Sequence, residues 1–157
     1  DFTSMGIENC VFNHSGWNAA AQELVERKRE NRPISYPIII IGHSLGAGVS
    51  PEMATYLGQH GIPVTYVVMY DPVVPTQVGP NVQEIVNYYI KKPNKDKILY
   101  PASGFNGALD NVDLSGRRDI DHFTIDNSVI DQLINLDRGF ASDLSHLKPL
   151  SDCCLGV

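Results

Sequence analysis

Residues 37–47 read P-I-I-I-I-G-H-S-L-G-A. Four isoleucines in a row, Ile38 to Ile41, make an apolar run too short for a free-standing helix. Side chains branched at Cβ on both faces suit a strand buried on both sides, as in the middle of a parallel sheet. The run stops at Gly42-His43-Ser44-Leu45-Gly46, and small residues in a helical pattern follow. A G-x-S-x-G pentapeptide between a strand and a helix is the sequence context of a nucleophile elbow. A serine at so sharp a turn must accept strained backbone angles. Gly42 and Gly46 are expected to remove side chains that would collide with the neighbouring strand and helix. Ser44 would then stand at the carboxyl edge of the sheet, where α/β folds place their chemistry.

A chain of 157 residues is long enough to bury a real core as one domain. Its 12 basic and 18 acidic residues leave a net charge of -6, which argues against a nucleic-acid or anionic-membrane partner. No apolar segment approaches the length of a membrane span. Cys10, Cys153 and Cys154 form neither a disulfide framework nor a metal-ligand spacing, so no metal or other cofactor is expected. Cys10 reads as a small buried residue. The chain opens at Asp1 without a methionine, and the expectation is a single domain over 1–157 that has lost its first strands, with 139–157 as a loosely held tail.

Strand character over Ile7 to Asn13 is followed by a turn at His14-Ser15-Gly16 and by helix formers from Trp17 to Asn31. After the elbow, Val49, Met53 and Leu57 recur at helical spacing between Leu45 and Gln59, and Gly61 suits a C-terminal stop. Pro63 to Tyr70 reads as a second buried strand ending at Asp71-Pro72. A proline-rich loop over Val73 to Pro80 leads to a strand at Val82 to Ile90 and a basic, turn-rich connection at Lys91 to Lys97. Shorter strands are expected at Ile98 to Ala102 and Ala108 to Leu114, and a last helix at Ile125 to Leu136. Strands alternating with helices imply an α/β domain with a mostly parallel sheet flanked by helices.

The order Ser44, Asp71, His122 is the nucleophile, acid, histidine order of one class of serine hydrolases. A serine hydroxyl needs a neutral imidazole to take its proton during attack, and a carboxylate to hold that imidazole in the right tautomer. The N–H of Leu45, directly after the nucleophile, is the first candidate oxyanion donor. For the base, His122 competes with His14, His60, His146 and His43, whose side chain should point away from Ser44. For the acid, Asp71 competes with Asp110 and Asp113, whereas Asp121 cannot easily reach the ring beside it. Val73, Val74, Val78, Phe105 and Leu109 are candidates for the wall of an acyl pocket.

Gly42-His43-Ser44-Leu45-Gly46-Ala47, the strand-borne Asp71 and His122-Phe123 resemble the α/β-hydrolase superfamily, in particular its bacterial lipase- and thioesterase-like members. Pro80-Asn81-Val82 followed by Val86-Asn87-Tyr88-Tyr89 is similar to a set of uncharacterised bacterial hydrolase-like proteins. The resemblance covers about residues 7–137. It implies a three-layer sandwich and the hydrolysis of small-molecule carboxylic esters or thioesters through an acyl-enzyme at Ser44. It also implies a second oxyanion donor from a loop that this chain lacks, unless His14-Ser15-Gly16 supplies it. The rival readings are a non-catalytic binding protein of the same fold and an acyltransferase using the same three residues.

Overall fold

The computed structural model describes residues 8–126. The expected continuation of the last helix over 127–136, His146, the 139–157 tail, Cys153 and Cys154 lie outside the described residues.

Four strands, β1 (Ile39–His43), β2 (Val64–Tyr70), β3 (Val82–Tyr89) and β4 (Ala108–Asp113), form one sheet in the order β1-β2-β3-β4. Every neighbouring pair is parallel. Two helices, α1 (Trp17–Arg29) and α2 (Leu45–Gln59), pack on one another, and α2 lies against β1 and β2. The class is therefore α/β.

The core on the α2 side joins Ala47, Met53, Ala54 and Leu57 of α2 to Val67, Met69 and Ile85 of the sheet. On the opposite face Val68, Tyr70 and Val86 are covered by Ile120 and Ile125. The α2 helix ends as its sequence predicts. Gly61 takes φ 71°, the Ile62 N–H reaches the Leu57 carbonyl and the Gly61 N–H reaches that of Gly58. This is a Schellman stop, in which a left-handed glycine lets two amides fold back on the last turn. Lys28 donates to the Gly61 carbonyl at 2.5 Å and so ties the end of α1 to that stop.

Parallel strands need long crossovers, usually helical. Only the β1–β2 connection is a helix here; residues 71–81 return instead as an irregular segment laid along α2. Its Thr76 N–H bonds to the Gly48 carbonyl, its Gly79 N–H to Thr55 Oγ1, and Asn81 Nδ2 donates to the Gly58 carbonyl. Such close approach requires small helix residues. A Cβ on Gly48 would stand 2.6 Å from the Val74 carbonyl oxygen, and one on Gly58 would stand 2.8 Å from Asn81 Cβ.

Several expectations are corrected. Residues 8–13 form no strand; Asn13 instead accepts from the Ser15 and Gly16 amides and caps a 3₁₀ turn at His14–Gly16. Cys10 is exposed. Ile98 to Ala102 forms no strand beyond a single bridge between Val78 and Pro101. The isoleucine strand is not buried on both faces. Among the described residues β1 has one neighbour, and Ile39 and Ile41 are 41% and 43% exposed. Gly42 does make the close contacts expected of it, against Ser50 and the backbone of Gly46 and Ala47, but a Cβ on Gly46 would meet nothing within 4 Å.

Gly46 and Gly48, both in the first turn of α2, should therefore answer the same substitution oppositely. Gly48→Ala is expected to lower stability by about 1–3 kcal/mol through overpacking against backbone. Gly46→Ala, with free space and a better helix former, should be neutral or stabilising by up to about 1 kcal/mol. Urea unfolding of both variants reads the difference; equal midpoints would show that the loop does not clamp α2.

Candidate functional site

The carboxyl ends of β1 and β2 bring two residues of unusual backbone side by side. Ser44 has φ 56° and ψ -115°, and Asp71 has φ 45°. A left-handed non-glycine residue costs about 1–3 kcal/mol and persists only where its surroundings enforce it. Here the sheet ladder enforces it. The Ser44 N–H bonds to the Tyr70 carbonyl at 2.9 Å, and the Asp71 N–H bonds to that of Tyr88 at 2.7 Å. Each residue thus turns sharply while its amide still belongs to the sheet.

His122 arrives from the opposite face, on the loop between Ile120 and Ile125. Its Nδ1 lies 2.6 Å from Asp71 Oδ2, and its Nε2 lies 3.1 Å from Ser44 Oγ. A carboxylate only accepts, so Nδ1 carries the proton and Nε2 is left free to accept from the serine hydroxyl. Asp121 caps this loop by accepting from the Phe123 and Thr124 amides at 2.8 and 3.0 Å. His43 also holds the loop. Its Nε2 donates to the His122 carbonyl at 2.6 Å, and the two rings lie 5.0 Å apart. The hydrogen-bond partner of the His43 ring is thus the backbone of His122.

Asp71 is fully buried and its carboxylate accepts from three donors. Lys97 Nζ lies 2.5 Å and the Ile90 N–H nitrogen 2.9 Å from Oδ1, while His122 occupies Oδ2. Burial pushes this carboxyl up, but the hydrogen bonds from Lys97, Ile90 and His122, together with the lysine charge, outweigh it. The net effect holds Asp71 below the usual carboxylate range. Lys97 itself is buried, and nothing in the polar Lys91–Lys97 stretch singles it out.

The other candidates lie elsewhere. Asp113 pairs with Lys91 at 2.6 Å and bonds Ser115, and Asp110 is exposed on β4. His60 Nδ1 bonds the Tyr56 carbonyl at the end of α2, the capping place its position suggests. His14 lies in the exposed 3₁₀ turn, and Trp17, directly after it, packs edge-on against Tyr56, in the C-terminal half of α2 rather than at the elbow.

Leu45 N–H is one of the first amides of α2, beyond the reach of any intrahelical carbonyl. Val73 follows Asp71 closely and its N–H bonds the Ser44 carbonyl at 3.3 Å. Val74 is 72% exposed, with its carbonyl oxygen against Gly48. Val78, Phe105 and Leu109 are not beside Ser44. Val78 is fully buried in the α2-side core, and Phe105 and Leu109 pack against the same core. Phe105 precedes β4 and so lies toward the amino edge of the sheet, opposite Ser44. Among the described residues no group of three His, Cys, Asp or Glu is arranged to hold a metal ion, and no helix is long and apolar enough to cross a membrane.

Comparison with protein-family models, curated proteins and solved structures found no match for this chain.

The electrostatics carry a pH signature. Asp71 is depressed, as are Asp113, to about 2 by Lys91 and Ser115, and Asp119, to about 2 by Arg117. Groups with depressed folded values bind protons more readily when unfolded, so their contribution is complete above about pH 4 and is lost as pH falls toward 2. Thermal melts should therefore be flat between pH 7 and 5 and should fall steadily below 4. Asp71→Asn should have the shallower acid slope; an unchanged slope would remove Asp71 from this account.

Proposed function

We propose that this chain is a serine hydrolase of the α/β-hydrolase superfamily that cleaves carboxylic esters or thioesters through an acyl-enzyme at Ser44. The observation that carries this reading is the His122 ring, within hydrogen-bond reach of Ser44 Oγ on one side and of a buried carboxylate on the other. The parallel sheet and the strained serine at the start of α2 support the superfamily assignment and are compatible with its three-layer sandwich.

In this reading Ser44 Oγ attacks the acyl carbon while its proton passes to His122 Nε2. Asp71 holds Nδ1–H and balances the charge of the imidazolium. The tetrahedral oxyanion accepts from Leu45 N–H, and the new positive end of α2 adds to its stabilisation. Collapse expels the alcohol or thiol, which takes the proton from Nε2. Water then repeats the sequence on the acyl-enzyme and releases the acid.

Three apolar side chains flank these residues in sequence and are open to solvent. Leu45, Val74 and Phe123 are 50%, 72% and 80% exposed. Apolar surface next to a polar reacting centre suits an acyl chain. No long insertion between Asp71 and His122 serves as a lid, so short or medium acyl groups are the proposed substrates.

A fluorophosphonate probe, which reacts only with serines made nucleophilic by a base, should label Ser44 in the wild type and leave His122→Ala and Asp71→Ala unlabelled or slowed at least about a hundredfold. Ester hydrolysis should disappear in Ser44→Ala and decline beyond medium chain lengths. Absence of labelling at Ser44 would favour a non-catalytic binding protein of this fold. Preferential transfer of the acyl group to added alcohols or amines would favour an acyltransferase.

A further inference from the structure

We propose that Lys97 is a positioning residue for the Ser44–His122–Asp71 set, acting through the carboxylate oxygen that His122 does not use. The inference rests on the hydrolase reading above and adds to it a fourth member that does not touch substrate.

A buried lysine is costly unless its charge is paired. The side chains of Lys97 and Asp71 are 3% and 0% exposed, and their charged atoms meet at Oδ1. The segment bearing the lysine is itself built into the sheet. Asn87 on β3 and Asn111 on β4 are register partners and bond one another at 2.8 Å. Asn87 Nδ2 also donates to the Lys97 carbonyl at 2.7 Å. Asn111 exchanges two bonds with the backbone of Leu99, at 2.9 and 3.0 Å. Two asparagines in the strands thus pin residues 97–99, and Leu99 is buried in the core below. This much fixed backbone aims one ammonium at one carboxylate oxygen.

Two effects follow. With Oδ1 held by Lys97 and the Ile90 amide, the carboxyl plane cannot rotate, so Oδ2 stays directed at His122 Nδ1. The lysine also offsets the carboxylate charge that His122 experiences. An imidazole beside an uncompensated buried carboxylate would hold a proton more tightly and so be free to accept one from Ser44 only at higher pH. Among the described residues, three other titratable groups face His122 or stand beside it. His43 faces it from the end of β1, Asp71 from the end of β2, and Asp121 stands beside it on its own loop, exposed and directed at the loop amides.

The test is the pH dependence of fluorophosphonate labelling at Ser44 in wild type, Lys97→Arg, Lys97→Met and Lys97→Gln. Lys97→Met should label more slowly, by about tenfold or more, and its acid limb should move to higher pH by about one unit or more. Lys97→Arg, which keeps the charge, should leave the limb in place. Lys97→Gln keeps a donor for Oδ1 without the charge; it should retain more rate than Lys97→Met and show the same shift, and it serves if Lys97→Met does not fold. A folded neutral variant with the wild-type limb overturns the proposal, as does an arginine variant shifted as far as the methionine one. If both neutral variants fail to fold, an unshifted limb with slower labelling in Asn87→Ala, which leaves every charge in place, supports the positioning role; a wild-type rate in that variant overturns it. A wild type that does not label at Ser44 defeats the hydrolase reading, and this inference falls with it. A wild type that labels beside unshifted neutral variants defeats this inference alone.

Discussion

The fully buried carboxylate of Asp71 is the interaction on which the rest of the site depends. An isolated charge in that position would be prohibitive, and its neutral form could not direct an imidazole. The fold surrounds it with donors from three separate places: a lysine of the β3–β4 connection, the amide just past β3, and the histidine of the loop after β4. Each donor reaches it because a neighbouring strand ends at the right level. The register of β2 on β3 sets the Ile90 amide, the Asn87–Asn111 pair sets Lys97, and the covering of Tyr70 and Val86 by Ile120 and Ile125 sets His122. Packing and electrostatics are here one arrangement.

Strain at the elbow follows the same logic. Ser44 and Asp71 both adopt left-handed backbone, and both are held there by amides that continue the sheet ladder. The cost is local and the restraint is the whole sheet. Gly48 and Gly58 of α2 act on the other side, since they admit residues 71–81 close to the helix and so fix the place from which Asp71 departs.

Much of this was legible in the chain. The isoleucine run, the G-x-S-x-G turn, the helix stopped by Gly61 and the strand ending at Tyr70 follow from local period and turn chemistry, and the next strand ends at Tyr89, one residue before the Ile90 its pattern suggests. The order Ser44, Asp71, His122 was likewise readable as residue types in sequence. Sheet order is not, because it depends on non-local pairing: the isoleucine run suggests a strand between two neighbours, and among the described residues β1 has one. Lys97 was hidden for a different reason. A lysine in a polar connection is nearly always solvated, and only the two asparagines on distant strands distinguish this one. Phe105 was misleading in the opposite sense, since an aromatic in a loop says nothing of which edge of the sheet it joins.

The strand order has one further consequence, for the making of the protein. Because each strand lies beside its neighbour in sequence, Ser44 and Asp71 stand side by side at the sheet edge once β1, α2, β2 and β3 have formed. The imidazole comes later, 78 residues after the serine it contacts. In chain order the hydroxyl is therefore placed first as an ordinary alcohol. In the proposed reading its nucleophilic character is conferred last, by a short loop that docks on a finished sheet.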